Sequence, residues 1–223
     1  MKIIRIRAFK DGVYGAFAEV TKALSNPKRL ELLDLLVQGP RSVESLAGAL
    51  GQSVGNTSQH LQVLKRSRVV QTRRLGTTIE YSLAPGVEGV FVSLRRLAEA
   101  RSPTLVHTKQ TYFAGAEAEE VVDRDELRRR LADGTAILLD VRPSEEFAHA
   151  HVEGALSIPI EQLEARLEEL PVDQLVVATC RGPYCVFATD AVQALRRAGR
   201  AAARFEDGVG EWRADGGTVS ASP

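Results

Sequence analysis

Leu175-Val176-Val177-Ala178-Thr179-Cys180-Arg181-Gly182-Pro183-Tyr184-Cys185 contains both cysteines of the chain. Its apolar opening, residues 175–178, reads as a buried strand, and the run over residues 186–197 reads as a helix. Cys180 therefore falls in the loop that turns from strand into helix. Backbone N–H groups and the dipole at a helix N-terminus favour a thiolate there. The same residues also fit two cysteines packed as small apolar groups beside a strand. The stretch alone leaves both readings open.

The sequence around it alternates strands with helices. Asp123 is placed to cap a helix that runs to Leu131 and stops at Asp133-Gly134. Residues 136–141 form a continuous apolar run of the kind found in parallel sheets. Residues 155–158 read as a further strand, and residues 160–170 as an acidic amphipathic helix closed by Pro171. Residues 202–205 supply another strand and residues 208–214 a short helix. This alternation predicts an α/β domain with a parallel sheet and helices on both faces. In such sheets sites form beyond the C-terminal strand ends, where Cys180 falls.

The halves of the chain differ in charge. Residues 1–100 carry 15 Lys and Arg against 8 Asp and Glu, while residues 101–223 carry 14 against 21. A basic N-terminal module of net +7 is joined to an acidic one of −7, and the basic half suits an anionic partner such as nucleic acid. No apolar run approaches the ~20 residues that span a bilayer. The first residues lack a signal peptide's apolar block. The expectation is a cytoplasmic protein that does not engage a membrane, and in that compartment two cysteines point to reactivity rather than to a structural bridge.

In the N-terminal module Val13, Phe17, Val20 and Leu24 share a helical face. Asn26-Pro27 restarts the chain as N-cap and first helical residue. A leucine stripe then runs to Gly39-Pro40. Ser42 opens a third helix that Gly51 ends, and Ser53 opens a fourth with Thr57, Leu61 and Leu64 inward. Two short helices joined through a glycine-containing turn are a helix-turn-helix. The alternating residues either side of Gly76 make a β-hairpin, so the module reads as a mainly-α winged helix.

Two resemblances follow. Leu24-Ser25-Asn26-Pro27-Lys28-Arg29-Leu30, then Ser58-Gln59-His60-Leu61-Gln62-Val63-Leu64, then the hairpin ending Tyr81-Ser82-Leu83 resemble the ArsR/SmtB family of dimeric winged-helix repressors over about residues 12–100. The resemblance implies a homodimer on double-stranded operator DNA, with the fourth helix in the major groove. Val54, Gly55, Asn56, Ser58, Gln59 and His60 are the matching positions. An amide reads adenine bidentately, which suits Asn56 or Gln59, while Ser58, Lys65, Arg73 and Arg74 suit phosphates. His60 also fits an ordinary helix residue, and the basic positions also fit solvated surface. The helix over residues 87–100, with Val90, Phe91, Leu94 and Leu97, belongs by the same resemblance to the dimer interface.

Two features depart from that family. Arg68 stands where a glycine often follows the reading helix. The module also has no cysteine, and its only histidine is His60, so metal sensing has little support and no metal or cofactor is expected. Ser102-Pro103 ends the last helix of the module.

The second resemblance is to the single-domain rhodanese superfamily, over about residues 120–219. It rests on Asp140-Val141-Arg142 with Glu145-Glu146-Phe147, on His151-Val152-Glu153-Gly154-Ala155, on Ser157-Ile158-Pro159, on Cys180, and on Asp207-Gly208 with Glu211-Trp212 and Gly216. Ala150 departs, standing where glycine often precedes the histidine. The resemblance implies that Cys180 takes up sulfane sulfur as a persulfide from a small donor such as thiosulfate, polysulfide or persulfide. Gly182, Pro183 and Tyr184 complete the active loop, and Arg181 is a candidate helper for an anionic donor. Asp140, Arg142 and His151 read as scaffold. Related phosphatases close a longer loop with arginine; here Val186 occupies that place, which argues against phosphatase chemistry. Cys185 either resolves a modified Cys180 or packs under the helix start, and a bridge requires Cα atoms within about 7 Å.

The organisation expected is therefore a winged helix-turn-helix domain over residues 1–100, a linker with some helix over 101–119, and a rhodanese-like α/β domain over 120–223. Two functions lead over a third, a repressor whose rhodanese-like module only binds another protein. One is a transcriptional regulator, a repressor by its resemblance, whose Cys180 senses sulfane sulfur or oxidant. The other is a thiosulfate or persulfide sulfurtransferase tethered to DNA.

Overall fold

A computed structural model describes residues 2–113 and 121–222, and the chain divides into two compact units, Met1–Phe91 and Val92–Pro223. The end of the expected linker and its boundary at residues 119–120 lie outside the described residues.

In the first unit α1 (Lys2–Leu24) precedes α2 (Pro27–Val37). Asn26 caps α2, its side-chain oxygen accepting the Arg29 N–H at 3.2 Å, with Pro27 in the first turn. A short β1 (Arg41–Ser42) enters α3 (Val43–Leu50), where the Ser42 hydroxyl accepts the Ser45 N–H. Gly51, at φ 62°, closes α3 in the left-handed region that suits glycine. Ser53 caps α4 (Val54–Arg66) in the same way through the Asn56 N–H. Strands β2 (Val70–Leu75) and β3 (Thr78–Leu83) pair antiparallel as the wing, Arg73 opposite Glu80, and β1 pairs with the other edge of β3. Leu32, Leu33, Leu46, Leu61 and Leu64 are fully buried between α2, α3 and α4. Each such leucine contributes about 1.5–3 kcal/mol of burial. The helix-turn-helix and wing stand where the sequence predicts them.

The α1 stripe behaves differently. Phe9, Tyr14, Phe17 and Val20 are exposed, whereas Ala23 joins the core at the end of the helix and Leu24 packs against it. The apolar periodicity marks a helix correctly but does not mark burial within the unit.

Arg68 adopts the conformation expected of a glycine, with φ 57°. The Val69 N–H bonds the Leu64 carbonyl at 2.9 Å and the Arg68 N–H bonds that of Lys65 at 3.0 Å, which is a Schellman closure of α4. A left-handed conformation costs an L-residue about 1–2 kcal/mol. Arg68→Gly is therefore expected to stabilise the first unit by about 1 kcal/mol, slowing global hydrogen exchange of the buried α4 and β2 amides about fivefold. Unchanged or faster exchange would show that the cap carries no strain.

Helix α5 (Val87–Arg101) begins in the first unit and ends before Ser102-Pro103, and α6 (Pro103–Phe113) follows. Phe113 lies under the Arg204 guanidinium, 5.1 Å from its ring centroid, whereas Tyr112 is exposed.

In the second unit the elements continue as β4 (Val121–Val122), α7 (Arg124–Ala132), β5 (Ala136–Asp140), α8 (Ser144–His149), β6 (His151–Val152), β7 (Leu156–Ser157), β8 (Leu175–Thr179), α9 (Phe187–Arg197), β9 (Ala202–Phe205), α10 (Val209–Ala214) and β10 (Val219–Ser220). The main sheet runs β4-β9-β8-β5-β7, all parallel, and β6 pairs antiparallel with β10. Leu139, Val176 and Ala178 pack on one side with Ala188, Ala191, Val192 and Leu195 of α9. Leu138, Val177 and Ala203 pack on the other with Leu127 of α7 and Trp212 of α10. Burial on both faces explains why these strands read as continuous apolar runs.

The acidic helix expected over residues 160–170 is instead two 3₁₀ segments, Ile160–Gln162 and Glu164–Glu169. The α-helical donor for the Leu167 carbonyl would be Pro171, which has no N–H. That carbonyl takes the Leu170 N–H at 3.2 Å instead, and Arg200 donates to the Leu167 and Leu170 carbonyls at 3.1 Å each.

Candidate functional site

Strand β8 delivers Cys180 to its C-terminal end, and α9 starts two residues past Cys185. The two cysteines are joined in a disulfide with Cα atoms 6.2 Å apart. Cys180 is 3% exposed and belongs to the apolar cluster of Leu139, Val141 and Ala188, while Cys185 packs against that cluster from its half-buried position. The bridge closes a ring over Arg181, Gly182, Pro183 and Tyr184. Inside it the Cys185 N–H bonds the Gly182 carbonyl at 3.1 Å, and Gly182 has φ 139°, where glycine is favoured.

The loop after β9 supports this ring. Thr179 Oγ1 donates to the Asp207 carbonyl at 2.9 Å. Gly208 lies against Arg181, so that a Cβ there would collide with the Arg181 carbonyl. The Gly208 N–H in turn donates to Glu211 Oε2 at 3.1 Å. Burial pushes the Glu211 carboxyl above the usual glutamate range, Arg95 pulls it back down, and Asp207 adds to the rise.

Asp140 and Arg142 pair with each other. Asp140 accepts the Arg142 backbone N–H at 3.0 Å, Nε at 2.9 Å and Nη2 at 2.5 Å, and Nη2 also donates to the Ala150 carbonyl at 2.9 Å. The pair is almost wholly buried and ties the end of β5 to the start of β6. The His151 ring stacks on Phe147 at 3.8 Å between centroids, with Nδ1 2.8 Å from the Phe147 carbonyl.

Arg181 is turned onto Glu146. Nε lies 2.9 Å from Oε2 and Nη2 2.5 Å from Oε1, with the guanidinium 5.5 Å from the Phe187 ring centroid. Glu146 is 4% exposed, and its role was not legible in the sequence. Nor does the sequence mark Arg95, which stands on α5, is 8% exposed and bonds Glu211 at 2.6 Å. No local signal marks a residue whose partner lies more than a hundred positions away.

A second set of residues gathers on the first unit. Thr57, Leu61 and Leu64 of α4 face the core, which leaves Val54, Gly55, Asn56, Gln59 and Lys65 exposed on the opposite face, with Ser58 and His60 half-buried beside them. The Asn56 amide donates to Gln52 Oε1 at 3.0 Å. Arg73 and Arg74 are exposed on β2, and Arg74 Nε donates to the Gly76 carbonyl in the turn of the wing. The cysteine loop lies in the second unit and these residues in the first. Among the described residues no group of His, Cys, Asp and Glu side chains could hold a metal ion, and no helix is long and apolar enough to cross a membrane.

Comparison with known proteins agrees with this division. Residues 26–72 match the family of bacterial regulatory proteins of the arsR type, and residues 123–215 match the rhodanese-like domain. The HTH-type transcriptional regulator Rv0324 of Mycobacterium tuberculosis is 43% identical over 204 residues, covering 89% of this chain and 88% of that protein. The HTH-type transcriptional regulator Rv0081 of the same organism is 44% identical over 87 residues, covering 38% of this chain and 76% of its own length. Among solved structures, the winged helix-turn-helix domain of Mb0332 from Mycobacterium bovis is 37% identical, with a TM-score of 0.41, and covers 42% of this chain and 87% of that one. With its winged helix and its five-stranded parallel sheet bearing the cysteine loop, the chain belongs to the ArsR family of HTH-type transcriptional regulators and carries a rhodanese-like domain behind the DNA-binding fold.

Proposed function

We propose that this regulator binds operator DNA as a homodimer and that the Cys180–Cys185 pair senses reactive sulfur or oxidant. The observation that carries the reading is the bridge itself: the chain's two cysteines meet in one loop at the C-terminal end of a buried strand. A bridged Cys180 is not a nucleophile, so each modification cycle ends in a stable two-state signal rather than in turnover. This favours sensing over sulfurtransferase output.

The chemistry balances. The Cys180 thiolate attacks the sulfane sulfur of a persulfide donor, and the donor's thiolate leaves. The Cys185 thiolate then attacks the inner sulfur of the Cys180 persulfide. The bridge forms and hydrosulfide departs. With thiosulfate as donor the first leaving group is sulfite. Asp140, Arg142, Glu146 and Gly208 hold the loop while this happens, and Arg181, paired with Glu146, positions the loop backbone.

Readout falls to the first unit. The exposed face of α4, with Asn56 and Gln59, suits base edges in the major groove, and Lys65, Arg73 and Arg74 suit phosphates. The exposed apolar residues Phe9, Phe17 and Val20 on α1 and Val90 and Leu97 on α5 support a dimer, whose two-fold symmetry matches a two-fold operator.

The test is an operator-binding titration with the thiols reduced, persulfide-treated and bridged. Wild type is expected to change affinity at least fivefold between reduced and bridged states, about 1 kcal/mol of coupling. Cys180→Ser is expected to abolish the change. A Cys180→Ser protein that still responds to polysulfide would remove Cys180 from the sensing role.

A further inference from the structure

Helix α5 reaches the cysteine loop with two side chains. Arg95 donates Nη1 to Glu211 Oε1 at 2.6 Å, with both side chains at most 7% exposed. Its guanidinium carbon is 5.7 Å from the centroid of the Tyr184 ring. The Tyr184 hydroxyl donates to Glu99 Oε1 at 2.8 Å, one helical turn further along. Gly182 faces the same arginine so closely that a Cβ would stand 2.8 Å from Arg95 Nη1. Two of the four residues inside the disulfide ring thus rest on α5. Glu211 carries the contact on to Gly208, which abuts Arg181 in the same ring. All these residues belong to the second unit, but Arg95 and Glu99 lie outside the segment that matches the rhodanese-like domain.

Breaking the bridge releases a constraint on the residues that make this contact. Bonded sulfurs sit about 2.0 Å apart. Non-bonded heavy atoms settle about 3.5–4.0 Å apart. Reduction therefore pushes the two sulfurs apart by roughly 1.5 Å within a ring of six residues. Cys180 is buried in the core and Gly208 abuts Arg181, which leaves Gly182, Tyr184 and Cys185 as the part of the ring with room to relax.

We propose that Arg95 is a positioning residue for the cysteine loop: from α5 it holds Gly182 and Tyr184 in the conformation of the bridged state, so that the bridge and the α5 contact stabilise each other. The coupling is reciprocal by linkage: whatever the contact adds to the bridge, the bridge adds to the contact. The inference deepens the sensing reading and rests on it, because it assigns the element of the chain that feels the state of the cysteines.

The test is a glutathione titration of the full chain. The bridge takes two electrons from two glutathione thiols, giving the dithiol and one glutathione disulfide, and alkylation followed by mass measurement reads the ratio. Arg95→Ala is expected to make the bridge about tenfold easier to reduce, equivalent to about 30 mV for this two-electron couple. Arg95→Lys restores the charge facing Glu211 and is expected to recover part of the shift. Arg96→Ala, a change on the same helix that removes one of the two arginines paired with Asp215, is expected to leave the constant unchanged. Tyr184→Phe removes the hydroxyl that bonds Glu99 and keeps the ring beside Arg95, and is expected to shift the constant about threefold in the same direction; this variant decides the matter should Arg95→Ala not fold.

A constant within twofold of wild type in folded Arg95→Ala, or in Tyr184→Phe where the first variant does not fold, overturns the proposal, as does a wild-type pair that does not bridge. The redox constant is measured without DNA. A shifted constant with operator affinity independent of the cysteines would therefore overturn the sensing reading alone.

Discussion

Asp140→Ala is expected to lower the stability of the second unit by about 3–5 kcal/mol. Asp140 and Arg142 are 2% and 1% exposed, and the carboxylate takes four hydrogen bonds from the arginine, one from its backbone N–H and three from its guanidinium, where Nε is shared between the two oxygens. Truncating the acid takes the carboxylate away from a buried guanidinium and leaves the Nη2 bond to the Ala150 carbonyl in place. The cost comes from the uncompensated charge rather than from the lost attraction, since a buried pair gains little over apolar residues of the same shape. Asp140→Leu combined with Arg142→Met is therefore expected to recover part of the loss, the remainder reflecting the Arg142 backbone N–H and the Ala150 carbonyl, which still lose their partners. Trp212 is the only tryptophan of the chain and is buried on the α7 and α10 side of the sheet. Its fluorescence in a urea titration reads the second unit without interference from the first. A loss below 1 kcal/mol for Asp140→Ala would show that water or a neighbour reaches Arg142, and the brace would lose its structural role.

Gln59→Ala is expected to weaken operator binding by about 1–3 kcal/mol and to relax preference at one base pair. Gln59 is exposed on the face of α4 opposite Leu61 and Leu64, so the change leaves the core intact and the effect falls on recognition. Arg73→Ala supplies the contrast. It is expected to weaken all sequences alike and to reduce the salt dependence by about one counterion, the mark of a phosphate contact. Competition binding against single-base operator variants at two salt concentrations separates the two behaviours. A Gln59→Ala protein that loses affinity equally for every variant would place Gln59 on the backbone and move base reading elsewhere on α4.

The elements that were legible share one property: their signals are local. Asn26, Ser42, Ser53 and Asp123 each cap the helix that begins next to them, and in each the side chain accepts a backbone N–H three residues on. A cap depends on one turn of chain, so a few residues suffice to announce it. The apolar runs at β5 and β8 were equally clear, because a strand covered on both faces has no polar side to interrupt it. The spacing of Asp140 and Arg142 was readable for the same reason: a single residue, Val141, separates the partners.

What failed to show was non-local. The 3₁₀ turns over residues 160–169 depend on Arg200, some thirty residues away, as well as on Pro171. The exposed stripe on α1 has the periodicity of a buried one, and periodicity measures a face without saying what covers it.

The sequence by itself determined the two modules, their order, the loop that carries the cysteines and the face of α4 turned away from the core, since each rests on short-range pattern and motif. The tertiary structure alone decided that Cys180 and Cys185 meet, that Arg181 is held by Glu146, and that Arg95 of α5 is buried against Glu211 beside Gly182. The physical reason is the same in each case. A bridge, a buried ion pair and a close backbone approach depend on distances set by how β8, β9, α8 and α5 pack, and no stretch of chain specifies such a distance alone.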